Sequence, residues 1–498
     1  MKEKSMPRKS IKKLLHDARV AQTHWRTVSV EERARILSRS AETLRDRMEE
    51  VAELIVQENG KPQVEAIGHE ITPAIANIRY LCKQAPAVFT PESVSLAWLP
   101  HRKARLVRVP FGVVLVISPW NIPLNIPLGQ VIAALIAGNA VILKPSEVTP
   151  RVGALISELL AIPELPSGLF QIVQGDGKTG AQLIRARPDR ILFTGSVATG
   201  RKVMAAAAKH PIPVTLELGG IDAMIVCEDA DLEYASSAAA WGGTFNGGQV
   251  CASVERLLVH EAIEEAFLNR LVDKMNQIRP SVGLGPITFA AQRQVYDRHL
   301  SEARQEGLTF RCGGDYLDEK TLSPTLICGA EIERASVYRE ESFGPIIAAR
   351  TFKDDDEAIA LHNDTLFGLT ASVFSRSNKR ANKIAGQVRA GLVSINDIAG
   401  TLYSQPELPW GGVGHSGFGR SHGHEGLLET TWTQVIEESR APNVEIKRPW
   451  WYPYNHQLEE IMRLFGKAAG ESSKLKQAGL LAKLGRHVAS MLTQNPRI

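Results

Sequence analysis

Three side chains in separate segments of the sequence could together carry out acyl chemistry on a carbonyl compound. Cys251 ends the run Asn-Gly-Gly-Gln-Val-Cys, in which the glycines allow backbone and substrate to approach a thiol closely. Glu217 lies upstream in Leu-Glu-Leu-Gly-Gly, and a carboxylate there could activate water against a thioester. Asn121, in Ser-Pro-Trp-Asn-Ile-Pro, offers an amide that could stabilise an oxyanion.

Composition restricts the class of protein. The chain has 498 residues and 44% hydrophobic content, enough for two or three buried cores. Its net charge of +4 is too small to indicate a nucleic-acid-binding protein, and the basic excess lies beyond residue 461. Five scattered cysteines without a Cys-x-x-Cys pair argue against a disulfide framework and a structural zinc site. We therefore expect a cytoplasmic protein with a usable thiol and no nucleic-acid partner.

Short apolar strands and helical segments alternate through most of the chain, and these elements must position the reactive residues. The first ninety residues are predicted as helices, with Asn59-Gly60 as a helix stop. No residue between Arg108 and Lys144 is charged, but the prolines there would break a membrane-spanning helix; the stretch predicts a strand, a helix at about 124–137 and a second strand. The alternation predicts an α/β fold with parallel sheets covered on both faces. The predicted strands are 113–118, 140–143, 169–173, 190–193 and 222–226, then 255–259, 346–350, 370–374 and 391–395.

Several separate motifs, in order along residues 20 to 440, resemble those of the aldehyde dehydrogenase superfamily. They are the segments around Asn121, Glu217 and Cys251, with Lys-Pro-Ser-Glu at 144–147, Phe-Thr-Gly-Ser at 193–196 and Glu-Ser-Phe-Gly-Pro at 341–345. The resemblance implies two doubly wound parallel-sheet domains, one binding a dinucleotide and one catalytic, with a small β region for oligomerisation. It also implies oxidation of an aldehyde to the acid with a nicotinamide cofactor.

The resemblance assigns the three reactive residues their roles. Cys251 would attack the aldehyde to give a thiohemiacetal, which loses hydride and becomes a thioester. Asn121, with the backbone N–H of Cys251, would stabilise the oxyanion, and Glu217 would act as general base for hydrolysis. The branch of the family that transfers its thioester to coenzyme A generally lacks this glutamate, so a free acid is expected, with coenzyme A acylation as the alternative. The sequence departs from many relatives at Ile221-Asp222, where a lysine often follows the glycines.

The cofactor residues also follow from the resemblance. A carboxylate in the ribose segment accepts from a free 2′-hydroxyl and repels a 2′-phosphate, so NAD is expected, with NADP possible. Glycines at the start of a helix suit a pyrophosphate. The histidines near 415–424 have no acidic partner at ligand spacing, and no metal is predicted. The expected cofactor-binding residues are Trp120, Lys144, Ser146, Glu147, Gly177, Phe193, Gly195, Ser196, Thr199, Glu341 and Phe343.

The sequence and the resemblance together predict a domain plan and a homodimer or homotetramer. The plan comprises a discontinuous NAD-binding domain at 1–91 and 111–218, a catalytic domain at 219–429, a β region at 92–110 and 430–445, and a basic amphipathic extension at 446–498. Asn396 and the stretch 409–420 complete the resemblance and are expected to shape the substrate entrance and domain contacts.

The extension lies beyond the resemblance. It contains an aromatic cluster at 449–454 and candidate helices at 456–468 and 474–492. The second helix would carry an apolar face with basic residues elsewhere, which suits the surface of an anionic membrane. The other interpretation is packing on the protein itself or on a neighbouring subunit. Membrane association would favour a hydrophobic aldehyde, and a non-catalytic membrane-surface protein on this scaffold is the second alternative. The proposed apolar face comprises Leu481, Leu484, Val488 and Met491, and the basic residues are Lys474, Lys483 and Arg486.

Overall fold

The computed structural model describes residues 8–97, 99, 102–280, 283–440, 454 and 456–494. These form two compact units, residues 1–91 with 107–434 and residues 92–106 with 435–498. The boundaries predicted between an NAD-binding and a catalytic domain stay predictions.

The α-helices are α1 (Arg8–Trp25), α2 (Val30–Asp46), α3 (Met48–Asn59), α4 (Gln63–Glu65), α5 (Thr72–Val88), α6 (Asn125–Ile136), α7 (Pro150–Leu159), α8 (Gly177–Arg185), α9 (Val197–Ala207), α10 (Leu232–Thr244), α11 (Glu264–Met275), α12 (Gln292–Gln305), α13 (Ser336–Arg339), α14 (Asp355–Asn363), α15 (Asn378–Ala385), α16 (Gly423–Leu428), α17 (His456–Ala469) and α18 (Lys474–Gln494).

A six-stranded sheet in the first unit carries Glu217 at the end of one strand. The charge-free stretch forms a strand, a helix and a strand, as predicted, and every residue of β3, α6 and β4 is buried. Strands apolar on both faces are typical of parallel sheets covered on each side. The order is β15-β7-β6-β3-β4-β5, with all pairs parallel except β15 and β7. The strands are β3 (Val113–Ile117), β4 (Ala140–Lys144), β5 (Phe170–Ile172), β6 (Arg190–Thr194), β7 (Val214–Glu217) and β15 (Gly417–Phe418).

A seven-stranded sheet follows the nucleophile segment. Its order is β10-β11-β12-β9-β8-β13-β14, and only β10 pairs antiparallel. β8 lies in this sheet and not with the strands that precede it in the chain, because it pairs with β9 and β13 on either side. The strands are β8 (Asp222–Val226), β9 (Val254–His260), β10 (Thr309–Cys312), β11 (Thr325–Cys328), β12 (Ile346–Phe352), β13 (Thr370–Phe374) and β14 (Leu392–Ile395).

A short segment between α3 and α5 becomes important at the site. α3 ends at Asn59, and Gly60 adopts the left-handed conformation that closes many helices, which confirms the predicted stop. The chain then forms α4 and a π-helix at Ala66–Ile71 before α5 begins. π-Helical turns are rare and occur frequently at functional sites.

The second unit contains most of the predicted β region and the C-terminal helices. A three-stranded sheet has the order β1-β2-β16, with β1 (Glu92–Val94) antiparallel to β2 (Arg102–Pro110) and with β16 at Thr431–Ser439. In α17 the buried residues Leu458, Ile461 and Leu464 follow helical spacing, so one face is covered.

The predicted apolar face of α18 is only partly correct. Leu484 and Val488 are half-buried, but Leu481 is 39% exposed and the side chain of Met491 lies outside the described residues. The three basic residues named for this helix are exposed. Residues 449–453 of the aromatic cluster also lie outside the described residues. No described helix is long and apolar enough to cross a membrane.

Candidate active site

The nucleophile is presented by a turn whose shape requires glycine. Asn246, Gly247 and Gly248 have φ values of 52°, 64° and 72°, the left-handed region that side chains with a Cβ rarely adopt. A Cβ on Gly248 would lie 2.1 Å from the carbonyl carbon of Gly344. The backbone of the turn at 246–248 therefore packs directly against the backbone at Gly344. This contact places Cys251 beside the segment that contains Phe343.

That second turn is held by a buried carboxylate that sequence reasoning did not assign. Glu255 accepts hydrogen bonds from the backbone N–H groups of Ser342 (2.8 Å) and Phe343 (2.7 Å). The hydroxyl of Tyr296 donates to the carbonyl of Phe343 at 2.6 Å. These contacts stabilise Phe343 at a φ of 55°. In the sequence, an acidic residue inside a buried strand is the signal from which a structural role for Glu255 could have been predicted.

Asn121 lies in the turn between β3 and α6 and reaches the nucleophile turn. Its side-chain Nδ2 donates to the carbonyl of Gln249 at 3.0 Å, two residues before the cysteine. Its own carbonyl accepts from Lys61 Nζ at 2.9 Å and from Asn246 Nδ2 at 3.1 Å. The amide of Asn121 is thus held against the turn that leads to Cys251, and both residues line the same groove.

Glu217 is the last residue of β7, and its side chain lies in the walls of two cavities. Its backbone pairs with Gly417 of β15, which ties the predicted stretch 409–420 to this strand. The side chain is buried, and neither carboxylate oxygen has a hydrogen-bond partner among the described residues. Burial raises the pKa of Glu217 well above its ordinary value, against a smaller lowering by Arg420. Only the ionised form of such a carboxylate can accept a proton, and a raised pKa makes that form a stronger base while it reduces the ionised fraction at a given pH.

Two cavities meet at these residues. A long groove of about 2020 Å³ and a smaller cavity of about 800 Å³, both open to solvent, each have Cys251 and Glu217 in their walls. Asn121 lines the groove. The sequence therefore predicted three reactive residues that the fold brings together at one junction.

The groove contains every residue predicted to bind the cofactor, so the residues present fit a dinucleotide. Lys144 Nζ and Glu147 form an ion pair of 2.9 Å at the end of β4. The hydroxyl of Ser196 caps α9, whose N-terminus suits a phosphate. No neighbouring atom lies within 4 Å of a Cβ built on Gly177, so the backbone is open to a ligand. The predicted residues along the groove are Trp120, Lys144, Ser146, Glu147, Gly177, Phe193, Gly195, Ser196, Thr199, Glu341 and Phe343.

Glu341 lies close to the glycines after Glu217. Its Oε1 accepts from the backbone N–H of Gly220 at 3.1 Å, and burial raises its pKa to about 8. A Cβ on Gly219 would lie 2.1 Å from this carboxylate, so only glycine allows the approach. Asp222, the second residue of the Ile221-Asp222 departure, is buried below the same loop, where it accepts from the N–H and hydroxyl of Thr370.

The smaller cavity is lined mainly by apolar and aromatic side chains. The ring of His69 lies 4.3 Å from that of Phe245, and Trp241 lies 5.0 Å from Phe245, centroid to centroid. Burial lowers the pKa of His69 and favours the neutral ring. Neither lysine nor arginine occurs among the described residues of this lining, which also includes Ile122, Ile126, Val250, Ile398, Tyr403 and Trp410.

The thiol itself is expected to be protonated in the free protein. Burial raises the pKa of Cys251 above its ordinary value of 9.0, and Asp222, Glu341 and Glu217 raise it further. Because the thiolate is the reactive form, alkylation by iodoacetamide should accelerate about tenfold per pH unit from pH 7 to 9. Stopped-time labelling with mass spectrometry at Cys251 measures this, and a rate already constant above pH 7 would contradict it.

The fold and the site define a class of protein: an α/β protein with a groove that fits a dinucleotide and with a cysteine in the wall of that groove. The model of the aldehyde dehydrogenase family matches residues 2–436. The chain belongs to the aldehyde dehydrogenase family. It is an NAD(P)-dependent enzyme that oxidises an aldehyde to the carboxylic acid.

Curated relatives and solved structures agree with this assignment. The chain is 42% identical over 476 residues to 4,4'-diapolycopene aldehyde oxidase of a Methylomonas species, covering 94% of this chain and 88% of that one. It is 37% identical to betaine aldehyde dehydrogenase of Cereibacter sphaeroides, covering 85% and 88%. An NAD-dependent aldehyde dehydrogenase from Sinorhizobium meliloti superposes with a TM-score of 0.84 at 33% identity, covering 90% and 89%.

Proposed function

We propose that Cys251 is the nucleophile, that Asn121 stabilises the oxyanion and that Glu217 is the general base. The observation that carries the proposal is the position of Cys251 and Glu217 in the walls of both cavities. An aldehyde held in the smaller cavity and a dinucleotide held in the groove would then meet at the thiol.

The residues act in order on the bound aldehyde. Cys251 first loses its proton to solvent and then attacks the carbonyl carbon as the thiolate, and the resulting oxyanion accepts from the Asn121 amide and the backbone N–H of Cys251. NAD(P), when bound, supplies the hydride acceptor that makes the reaction an oxidation. Glu217 then takes a proton from water, which attacks the thioester and releases the acid. Glu217 acts in its ionised form, which the raised pKa makes a stronger base and which becomes more populated as pH rises.

The lining of the smaller cavity supports a hydrophobic aldehyde as substrate. Apolar walls without a fixed cation offer no partner to a substrate carboxylate. The relative with 42% identity is named as a 4,4'-diapolycopene aldehyde oxidase, and an apolar aldehyde of that kind agrees with such walls. The second candidate is a quaternary ammonium aldehyde, because rings such as Trp241, Phe245 and Tyr403 could bind a cation through their faces.

A substrate panel tests the two candidates. Turnover with NAD should be compared for acetaldehyde, benzaldehyde, a long-chain alkyl aldehyde, an apocarotenoid aldehyde and betaine aldehyde. The hydrophobic proposal expects the highest kcat/KM for the long apolar compounds. Highest kcat/KM for betaine aldehyde would replace it with the second candidate, and the test variant Phe245→Leu should then weaken that substrate selectively.

NAD should be preferred over NADP because of Glu147. Its carboxylate would accept from a free 2′-hydroxyl and repel a 2′-phosphate. In Glu147→Gln we expect the ratio of kcat/KM for NAD to that for NADP to fall about tenfold. Glu158→Gln, which changes an acid on α7 that does not line the groove, is the matched control. An unchanged ratio in Glu147→Gln would contradict the assignment.

The C-terminal helices are proposed to contact an anionic membrane from the cytoplasmic side. Exposed basic residues on α18, among them Lys474, Lys476, Lys483 and Arg486, support this, together with the 86% exposure of Leu475. Co-sedimentation with vesicles of phosphatidylglycerol and phosphatidylcholine tests it. Full-length protein should bind and protein ending at residue 440 should not; equal binding would remove the proposal.

Assembly as a homodimer or homotetramer through the β1-β2-β16 sheet is proposed as well. An edge strand with free backbone groups can pair with another chain. Light scattering of the full-length protein should give two or four subunits, and a monomer at micromolar concentration would contradict it.

A further inference from the structure

A fully buried ion pair lies behind the turn that carries Asn121. Lys61 Nζ is 2.7 Å from Glu70 Oε1, and neither side chain is exposed. The same ammonium donates to the backbone carbonyl of Asn121 at 2.9 Å. The pair is therefore bonded directly to the residue proposed to stabilise the oxyanion.

The carboxylate of Glu70 holds the other end of the same turn. Its second oxygen accepts from the backbone N–H of Leu124 at 2.8 Å and of Asn125 at 3.2 Å. These are orphan donors at the start of α6, which a carboxylate satisfies and whose positive end it stabilises. The turn from Asn121 to Asn125 is thus fixed at its first and last residues by one ion pair.

The segment also contacts the nucleophile turn. Glu65, four residues beyond Lys61, accepts from the backbone N–H of Asn246 at 3.1 Å. Asn246 in turn donates its side-chain amide to the carbonyl of Asn121. One stretch of chain therefore bonds both to the turn with the amide and to the turn with the thiol.

A contribution to the stability of the fold does not explain why Lys61 and Glu70 are both buried. Both ions lose their hydration, and well-packed apolar residues often replace such a pair at no cost in stability. Apolar side chains could not, however, donate to the carbonyl of Asn121 or accept from two N–H groups of α6. The ion pair therefore contributes the hydrogen bonds that fix the backbone of the turn at 121–125.

We infer that Lys61 and Glu70 are positioning residues that hold the Asn121 amide in register with the nucleophile turn. The inference rests on the proposed role of Asn121. It predicts that these residues act on the rate of thiohemiacetal formation and oxidation only through that amide, because they touch neither cavity.

A double-mutant cycle tests the inference. The pair variant Lys61→Met/Glu70→Leu leaves no buried charge unpaired, and it is combined with Asn121→Ala. The readout is the first-turnover rate of NADH formation in stopped flow, per NAD-binding site. We expect Asn121→Ala to lose a factor of about 100 to 1000 and the pair variant about 10 to 100. In the Asn121→Ala background the pair variant should lose only about twofold more.

Controls separate positioning from general damage. Arg380→Met removes the cation of a partly buried ion pair with Asp355, remote from both cavities, and should lower the melting temperature without changing the first-turnover rate. Should the pair variant not fold, Glu70→Asp keeps the charge, shortens the reach, and enters the same cycle.

Three results would overturn the inference. A wild-type rate in the pair variant, or an equal loss in both backgrounds, would show that the pair does not act through Asn121. A wild-type rate in Asn121→Ala would remove the proposed oxyanion role itself, and the inference with it. The single variant Asn121→Ala therefore tells the two failures apart.

Discussion

Replacing Cys251 with alanine is expected to lower aldehyde turnover by about four orders of magnitude or more, because no thiohemiacetal can form without the thiol. The structure offers no second thiol at the junction, since Cys251 is the one cysteine among the described residues that line the two cavities. NADH formation under saturating NAD and a long-chain aldehyde measures the loss. NAD binding should be retained, because the substitution removes only one of the many side chains that line the long groove.

The control for this variant is Cys82→Ala. Cys82 is another cysteine whose burial raises its pKa to about 12, and it lies outside both cavity linings. Its replacement should leave turnover unchanged. Activity that survives in Cys251→Ala would remove the covalent mechanism altogether.

Replacing Glu217 with glutamine is expected to separate the two halves of the reaction. Glutamine fills the same volume but cannot take a proton from water, so the thioester should accumulate. Mixing enzyme, NAD and aldehyde should give one NADH per active site in the first turnover. Steady-state turnover should then fall by a factor of about 100 to 10,000.

Added coenzyme A distinguishes the two routes for the thioester. In the hydrolytic type, coenzyme A should not restore turnover in Glu217→Gln, whereas restoration with release of an acyl-coenzyme A would favour the acylating alternative. Loss of the first-turnover NADH would instead place Glu217 before the oxidation step. Glu333→Gln is the matched control, since Glu333 is a partly buried carboxylate that pairs with Arg350 outside both cavities.

The main elements could be predicted from the sequence because apolar strands between glycines and prolines leave a strong signal. β3, α6 and β4 were predicted within a residue or two, since burial on all faces requires an unbroken apolar run. β7 was missed. Its four residues include Thr215 and Glu217, so they show no apolar run. The predicted catalytic domain at 219–429 already grouped β8 with the strands that pair with it, but the order of the strands within each sheet was not predicted, because an apolar run does not reveal its neighbours.

The site was predicted by motif and not by physical pattern. Cys251, Asn121 and Glu217 are far apart in the chain, and only resemblance to a family could join them before the fold was known. The supporting residues were missed for a different reason. A lysine after Asn-Gly at a helix end, like Lys61, ordinarily lies in solvent. Its side chain is 0% exposed here because it pairs with Glu70, nine residues later. A lysine and a glutamate that pair across a π-helical turn leave no periodic pattern in the sequence from which the pairing could be predicted.

The shared wall between the two cavities has a consequence for inhibitor design. An electrophile with a long apolar body can approach Cys251 from the aromatic side, while a dinucleotide-like fragment occupies the groove from the other. The two ligands would compete for little space, and a short linker past Glu217 would join them into one bivalent compound. Selectivity in such a compound would come from the aromatic arm, and residence time from the covalent bond at its centre.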